Sequence, residues 1–597
     1  MSKLVIIPMP KEWEIKTGRY AVSSDVKRAV EEYTLDRAVP SGIHVLTDEA
    51  CGEALEDRES YRLNISPGQI EITVKAGPGI YYALQTLRQI IRQAEDGTIP
   101  CMLISDWPDY PNRGVMIDIS RDRVPTMETL YSLIDMWTEL KFNQLQLYTE
   151  HTFAYSGHKK VWEHASPLTG EEVRMISAYC SARGMELIPN QNSFGHMERW
   201  LQHKEYRHLA EAPDGFVDPW GFFRPVPSTL SPAVPEVTDF LSGLYDELLP
   251  NFESTLFNVG GDETYELGQG RSKELCEARG LEQVYVDFIR RLHTLAGQRG
   301  KRIMLYADIL MKYPHMVDQI PSDIILLEWG YEANHSFEEE CRRIEKAGRE
   351  FYICPGTSAW NSIGGRWENA SQNICNAAVQ GRKHGASGFL LTEWGDNGHW
   401  QQYPVPVPAY FLGASAAWNL SGAENFDPVA ALTIHFFRSS SSAAAEALML
   451  LQDIYRNERM LLPNSSIQAA LLLDHTGPYF KAAFPHFRGY DFGREFSLLA
   501  RAEEYMDTAA GNTDALLVDE ILLTLRLLRH ACTYGKLRFA TPHLKMEEIE
   551  RDRRKDLAGE LTPLIDEYRR LWKQRCRIGG LRESAGNLQT LRDLYLA

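Results

Sequence analysis

From residue 113 to about residue 420 the chain repeats one pattern: a short apolar run, a polar loop, then a stretch whose apolar residues recur three and four positions apart. Eight such runs follow one another: RGVMIDIS from Arg113, FNQLQLYTE from Phe142, MELIPNQN from Met185, STLFNVGGDE from Ser254, RIMLYAD from Arg302, DIILLEWGY from Asp323, EFYICPGT from Glu350 and GASGFLLTEWG from Gly385. METLYSLIDMWTEL, EEVRMISAYCSARG and SFEEECRRIEKAG are amphipathic helical stretches between them. Eight βα units predict an α/β fold, a (β/α)8 TIM barrel over residues 111–422.

Before the barrel, YRLNIS and QIEITVKA alternate as strands and GIYYALQTLRQIIRQ has a helical period, so residues 1–110 read as a small N-terminal α+β domain. The proline-rich DWPDYPNRG makes the joint. After residue 423 the strand signals fade, and DALLVDEILLTLRLLRHA and LTPLIDEYRRLWKQR predict a C-terminal helical domain over 423–597. Its closing WKQRCRIGGLRES reads as a packed helix end rather than a site.

Composition narrows the function classes. The 597 residues and the ordinary apolar fraction fit two or three globular domains and exclude a disordered or fibrous chain. Nowhere do eighteen apolar residues run together, and the start has only a five-residue apolar run before Pro10, which predicts neither a membrane span nor an ordinary export signal. Nine scattered cysteines without CxxC spacing read as reduced thiols, so the expected location is cytoplasmic. A formal charge of −18 repels polyanions, which makes a neutral or cationic ligand the expected partner rather than nucleic acid or membrane. The same features are compatible with a homo-oligomer.

In such a barrel the chemistry sits where strands end, at the carboxyl-terminal face. The eight run-ends carry Arg121, Glu150, His196, the pair Asp262-Glu263, Tyr306 with Asp308, Trp329 with Tyr331, Trp360, and Trp394 with Asp396. Adjacent carboxylates can push each other's ionisation apart and so divide the work of acid catalysis. The same Asp-Glu pair can also be a tight turn capping the next helix, although the preceding Gly260-Gly261 would let a backbone approach a ligand closely. Three tryptophans, each beside a polar residue, suit the C–H faces and hydroxyls of a sugar ring. Asp118, His196, Asp262, Glu263 and Asp308 could instead be drafted as metal ligands, but HxH and HExxH spacings are absent, and no cofactor is expected.

Four motifs stand in order: RGVMIDISR, NSFGHMERW, GGDE and TEWGDNGHW. With them the chain resembles the family 20 glycoside hydrolases, the β-N-acetylhexosaminidases, over essentially residues 1 to 420, and IIPMPKEWEIKTGRYAV and GIYYALQTLRQI resemble that family's amino-terminal domain. The resemblance implies an exo-acting, retaining hydrolase of terminal β-linked N-acetylglucosamine or N-acetylgalactosamine, in which the substrate's own 2-acetamido group is the nucleophile. It further implies that Glu263 is the general acid and base and that Asp262 holds the acetamido N–H. By the same resemblance Arg121 and Asp396 bind ring hydroxyls, His196 forms a polar chain with Glu263, and Trp360 and Trp394 wall the pocket. Arg113, at the other end of its strand, is expected in a structural salt bridge.

Three positions depart from the family pattern. Asn258 stands where the family has a histidine, four residues before Asp262. Strand 2 ends in YTEHTF rather than HWHxxD, similar to the hexosaminidase D branch, with Glu150 as the candidate replacement for the missing aspartate. Trp360 is followed by Asn361 rather than the usual tyrosine, which leaves Tyr331 and Tyr306 as candidates to hold the acetamido oxygen. The competing readings are a barrel-fold sugar-binding protein with weak or lost turnover and a metal-dependent barrel hydrolase.

Overall fold

A computed structural model describes residues 4–51, 55, 57–473 and 481–597. Its first five strands, β1 (Glu12–Ala21), β2 (Ile43–Thr47), β3 (Tyr61–Ile65), β4 (Ile70–Val74) and β5 (Thr98–Asp106), form one sheet in the order β1-β5-β3-β4-β2. Leu63, Ile65, Ile70 and Ile72 alternate onto the face that packs against the helix Gly77–Arg92, whose Leu84, Leu87 and Ile90 are fully buried. Period-two patterning thus found β3 and β4. It missed β1, an edge strand whose residues are mostly exposed on both faces and so show no alternation.

The eight apolar runs become eight parallel strands. These are β6 (Asn112–Asp118), β7 (Gln144–Tyr148), β8 (Glu186–Ile188), β11 (Leu256–Asn258), β12 (Arg302–Tyr306), β13 (Ile325–Trp329), β14 (Phe351–Cys354) and β15 (Gly388–Glu393). Their order, β11-β12-β13-β14-β15-β6-β7-β8, is closed by a bridge between Asn190 and Asn258, so the sheet wraps into a barrel. Met116, Ile188, Met304, Leu327, Tyr352 and Leu390 fill its interior, while the alternate residues meet the surrounding helices. A short hairpin, β9 (Phe216–Val217) and β10 (Phe223–Arg224), projects from the long connection between β8 and β11.

Arg113 lies at the amino-terminal end of its strand, 1 % exposed, with Nη1 2.8 Å from Glu59 and its guanidinium over Trp418. Together with the buried Lys141–Asp106 pair at 2.7 Å, it ties the first sheet to the barrel. Each of these pairs is costly to break singly, because the partner left behind stays buried and charged.

The helices Ala515–Phe539, Arg551–Arg575 and Leu581–Leu596 follow the barrel. The link into the last one presses on a barrel loop: a Cβ at Gly580, which has φ +75°, would lie 1.9 Å from the Asp122 carbonyl oxygen. Among the described residues no helix is long and apolar enough to cross a membrane.

Candidate active site

The two glycines after β11 set the geometry of the carboxylates. Gly260 and Gly261 have φ of +72° and +89°, and a Cβ there would come within 1.9 Å of Asn192 Oδ1 and 2.4 Å of Leu305 Cδ1 respectively. Only glycine combines that backbone with that space. The chain therefore turns sharply, burying Asp262 (7 % exposed) and leaving Glu263 at φ +49° with its side chain 33 % exposed. His196, Asn361 and Asp396 also adopt positive φ, between +50° and +58°. Such strain in non-glycine residues costs of order 1 kcal/mol each and persists where the surrounding structure demands it.

These residues converge on one cleft of ≈ 610 Å³ at the carboxyl-terminal ends of the strands. Arg121, His196, Asp262, Glu263, Tyr306, Trp329, Tyr331, Trp360, Trp394 and Asp396 all line it. Glu150 lies instead in an adjoining polar extension, where its Oε1 is 3.2 Å from Arg121 Nη2. It orients Arg121 together with Asp118, at 3.3 Å, while the guanidinium lies over the rings of Tyr148 and Trp394.

His196 meets both carboxylates. Its Nε2 is nearer Asp262 Oδ2, at 3.3 Å, than Glu263 Oε2, at 3.6 Å. Burial would lower its pKa, but the Asp262 carboxylate overrides this and raises it to about 9, so the ring carries a charge near neutral pH. Tyr265, two residues beyond Glu263, donates to Glu263 Oε1 at 2.9 Å. Burial, reinforced by Asp262 and Glu263, raises the Asp308 carboxyl to about 8, so Asp308 holds a proton near neutral pH. Burial likewise lifts Asp396 to about 6, and its Oδ2 accepts from Asn361 Nδ2 at 3.1 Å.

Four polar atoms of the cleft residues are buried and lack a partner of hydrogen-bonding geometry: Asp262 Oδ1, Tyr306 Oη, Trp329 Nε1 and Asn464 Oδ1. The Asn258 and Asn190 amides approach the Tyr306 hydroxyl. Tyr331 Oη, by contrast, is engaged by Trp394 Nε1 at 2.9 Å. Buried orphans of this kind are rare and call for an explanation. The first three of them form one acceptor and two donors within an aromatic wall in which Trp329 stacks on Tyr331 and Tyr331 meets Trp360 edge-on.

Asn258 lies behind this constellation, touching it only where its amide approaches the Tyr306 hydroxyl. It is 0 % exposed, donates to Gln146 Oε1 at 2.9 Å, and accepts from the Gly260 N–H at 2.9 Å, so it braces the diglycine turn. The five residues drafted as metal ligands do not bring their ligand atoms to one point among the described residues, and Asp118 is spent on the Ser120 and Arg121 backbone N–H groups and the Arg121 side chain.

Several lining residues escaped the sequence reading. Pro463, Asn464 and Ser465 close one side of the cleft, anchored where Ser465 Oγ and the Ser466 N–H both donate to the Asn361 carbonyl at 3.1 Å. Trp220 and Phe223 stand exposed on the rim. Glu583 and Asn587 line the polar extension, so the segment read as a mere helix end borders the site. Only Tyr265 had a local signal, an aromatic residue in the same turn as the carboxylates.

Residues 110–383 match the family model described as glycosyl hydrolase family 20, catalytic domain, and residues 28–107 match that described as glycosyl hydrolase family 20, domain 2. A β-hexosaminidase of Akkermansia muciniphila is 29% identical over 227 residues, 35% of this chain and 45% of that protein. One of Emericella nidulans is 26% identical over 299 residues, 45% of this chain and 49% of the other. The chain thus spans about half the length of these relatives. Among solved structures, a chitobiase of Flavobacterium johnsoniae superposes with a TM-score of 0.59 at 17% identity, over 95% of this chain and 98% of that one. An exo β-N-acetylglucosaminidase of Vibrio harveyi in complex with N-acetylglucosamine gives 0.57 at 17% identity, over 76% and 78%. These two likenesses show the fold.

Proposed function

The chain belongs to glycosyl hydrolase family 20, and on that premise we propose that it is an exo-acting, retaining β-N-acetylhexosaminidase that releases terminal β-linked N-acetylhexosamine by substrate-assisted catalysis. The observation that carries this reading is the set of unpartnered polar atoms at the cleft. Asp262 Oδ1 can accept the acetamido N–H, and Tyr306 Oη can donate to the acetamido oxygen. An N-acetyl group supplies the complementary donor and acceptor from one planar amide, so its binding would satisfy atoms that are otherwise costly to bury.

In this mechanism the acetamido oxygen attacks the anomeric carbon as the glycosidic C–O bond breaks, and Glu263 delivers its proton to the departing oxygen. The resulting oxazolinium carries its positive charge beside Asp262, whose Oδ2 is held by His196 at 3.3 Å, so that Oδ1 remains aimed at the ring nitrogen. Glu263, now a carboxylate, takes a proton from water as that water attacks the anomeric carbon and reopens the ring. Both substitutions invert the same carbon, so the product keeps its β configuration. Glu263 is the more exposed of the two carboxylates, as a group that meets both aglycone and water requires. Arg121 and Asp396 would bind ring hydroxyls, with Asn361 fixing Asp396, and Trp329, Tyr331, Trp360 and Trp394 would enclose the sugar's apolar faces.

Thiazoline analogues of the cyclic intermediate test the mechanism: inhibition far tighter than substrate binding supports it, whereas efficient hydrolysis without thiazoline inhibition would point to an enzyme nucleophile. We also place the chain near the hexosaminidase D branch, on the strand-2 ending that carries Glu150. A family tree that set the chain outside that branch would remove this finer assignment.

A further inference from the structure

We propose that Glu328, His335 and Glu340 form a binding site for one divalent transition-metal cation, zinc by preference, on the outer face of the barrel behind the cleft wall. Glu328 is 3 % exposed on β13, between Leu327, which faces the barrel interior, and Trp329 of the cleft wall, so its carboxyl points outward toward the helix Phe337–Lys346. His335 in the connecting loop places Nε2 3.7 Å from Glu328 Oε1 and 2.8 Å from Glu340 Oε2. One ligand atom from each residue lies within 4.8 Å of the others.

Two features distinguish this from an ordinary ion pair. Glu328 Oε2 is buried and receives no donor of hydrogen-bonding geometry, although the Glu328 carboxyl lies against that of Glu340. The His335 ring is also fixed in place, edge-on to Phe337 at 4.4 Å, and so close to the backbone that a Cβ on Gly330 would lie 2.3 Å from it. Tetrahedral zinc with bonds of about 2.0–2.2 Å sets its ligand atoms about 3.3–3.6 Å apart, a spacing bracketed by the two observed here. Two carboxylates and one imidazole suit zinc, with water in the fourth position, better than the all-oxygen sets of calcium or magnesium. The half-buried His335 and Glu340 leave an approach from solvent.

Carboxylate and imidazole ligands bind a cation only when deprotonated, so its affinity should rise with pH. The site does not touch the catalytic carboxylates. It clamps Gly330, which lies between Trp329 and Tyr331, and so fixes one wall of the cleft.

The test is zinc titration of the EDTA-stripped, desalted full chain, followed by elemental analysis and melting temperature, with cobalt as a spectroscopic probe. One equivalent of zinc per chain, a raised melting temperature and cobalt ligand-field bands are expected. Glu340→Gln and His335→Gln should each weaken binding on the order of 100-fold, and stripped wild-type enzyme should keep its turnover of aryl glycosides. Absence of saturable binding in wild type overturns the proposal. So does unchanged binding in a folded Glu340→Gln or His335→Gln variant. Wild-type stoichiometry and cobalt spectra decide the matter even if a variant fails to fold.

Discussion

Tyr306→Phe separates binding chemistry from folding, because the two should move in opposite directions. The Tyr306 ring is 1 % exposed, and its hydroxyl is buried without a well-formed partner. An unsatisfied buried hydroxyl costs about 1–3 kcal/mol, so phenylalanine, which keeps the ring and drops the orphan, should leave the melting temperature of the sugar-free protein unchanged or higher. In the reaction the same hydroxyl is assigned to the acetamido oxygen as that atom becomes a nucleophile. Loss of a group that holds the attacking atom in position costs on the order of 10² in kcat. Tyr331→Phe is the internal contrast. It strips the acceptor from Trp394 Nε1, 2.9 Å away, and leaves that buried N–H unpaired, so stability should fall by about 1–3 kcal/mol while kcat changes little. The assay is kcat and KM on a nitrophenyl N-acetyl-β-glucosaminide, paired with thermal unfolding of each variant. A Tyr306→Phe enzyme within threefold of wild type in kcat would refute the assignment. A Tyr331→Phe enzyme carrying the large kinetic loss instead would transfer the role to Tyr331.

Other substitutions probe the remaining roles. Glu263→Gln should abolish hydrolysis yet still bind N-acetylglucosamine in calorimetry, and Asp262→Asn should lose at least about 10²–10³ in kcat; wild-type-like turnover in either would end the proposed division of labour. Asp308, held protonated to about pH 8 in the fold but ionising near pH 4 when unfolded, contributes stability at low pH that is lost as pH rises through this window. Asp308→Asn should therefore flatten the decline in unfolding free energy from about pH 4 to pH 8, and an unaltered denaturation profile would show that Asp308 does not hold that proton. Restoring the family histidine by Asn258→His should destabilise the protein by about 1–3 kcal/mol without improving kcat, because Asn258 uses both ends of its amide on Gln146 and Gly260; a faster, equally stable variant would contradict this.

What was legible in the sequence follows from where each signal is stored. The barrel strands announce themselves because each is buried on both faces and bounded by a polar loop, and the strand-end rule then collects Arg121, Asp262, Glu263, Trp329 and Asp396 from distant positions into one cleft. The diglycine before Asp262 was correctly suspicious, since both positions require positive φ and lack room for a Cβ. Partner choice was not legible. His196, expected on Glu263, meets it at 3.6 Å and Asp262 more closely, at 3.3 Å. Pro463–Ser465, Glu583 and Asn587 carried no local mark of function, because their part in the cleft comes only from how the C-terminal helices dock on the barrel loops. Edge strand β1 escaped for the reverse reason, its exposed faces giving no alternation to read.

The central claim is that the substrate's acetamido group does the nucleophilic work. Its most direct test is kcat/KM on paired nitrophenyl β-glycosides, identical except for the presence of the 2-acetamido group or a 2-hydroxyl. The account predicts efficient cleavage of the N-acetylhexosaminides and a loss of several orders of magnitude on the plain hexosides. Comparable turnover of both would contradict it.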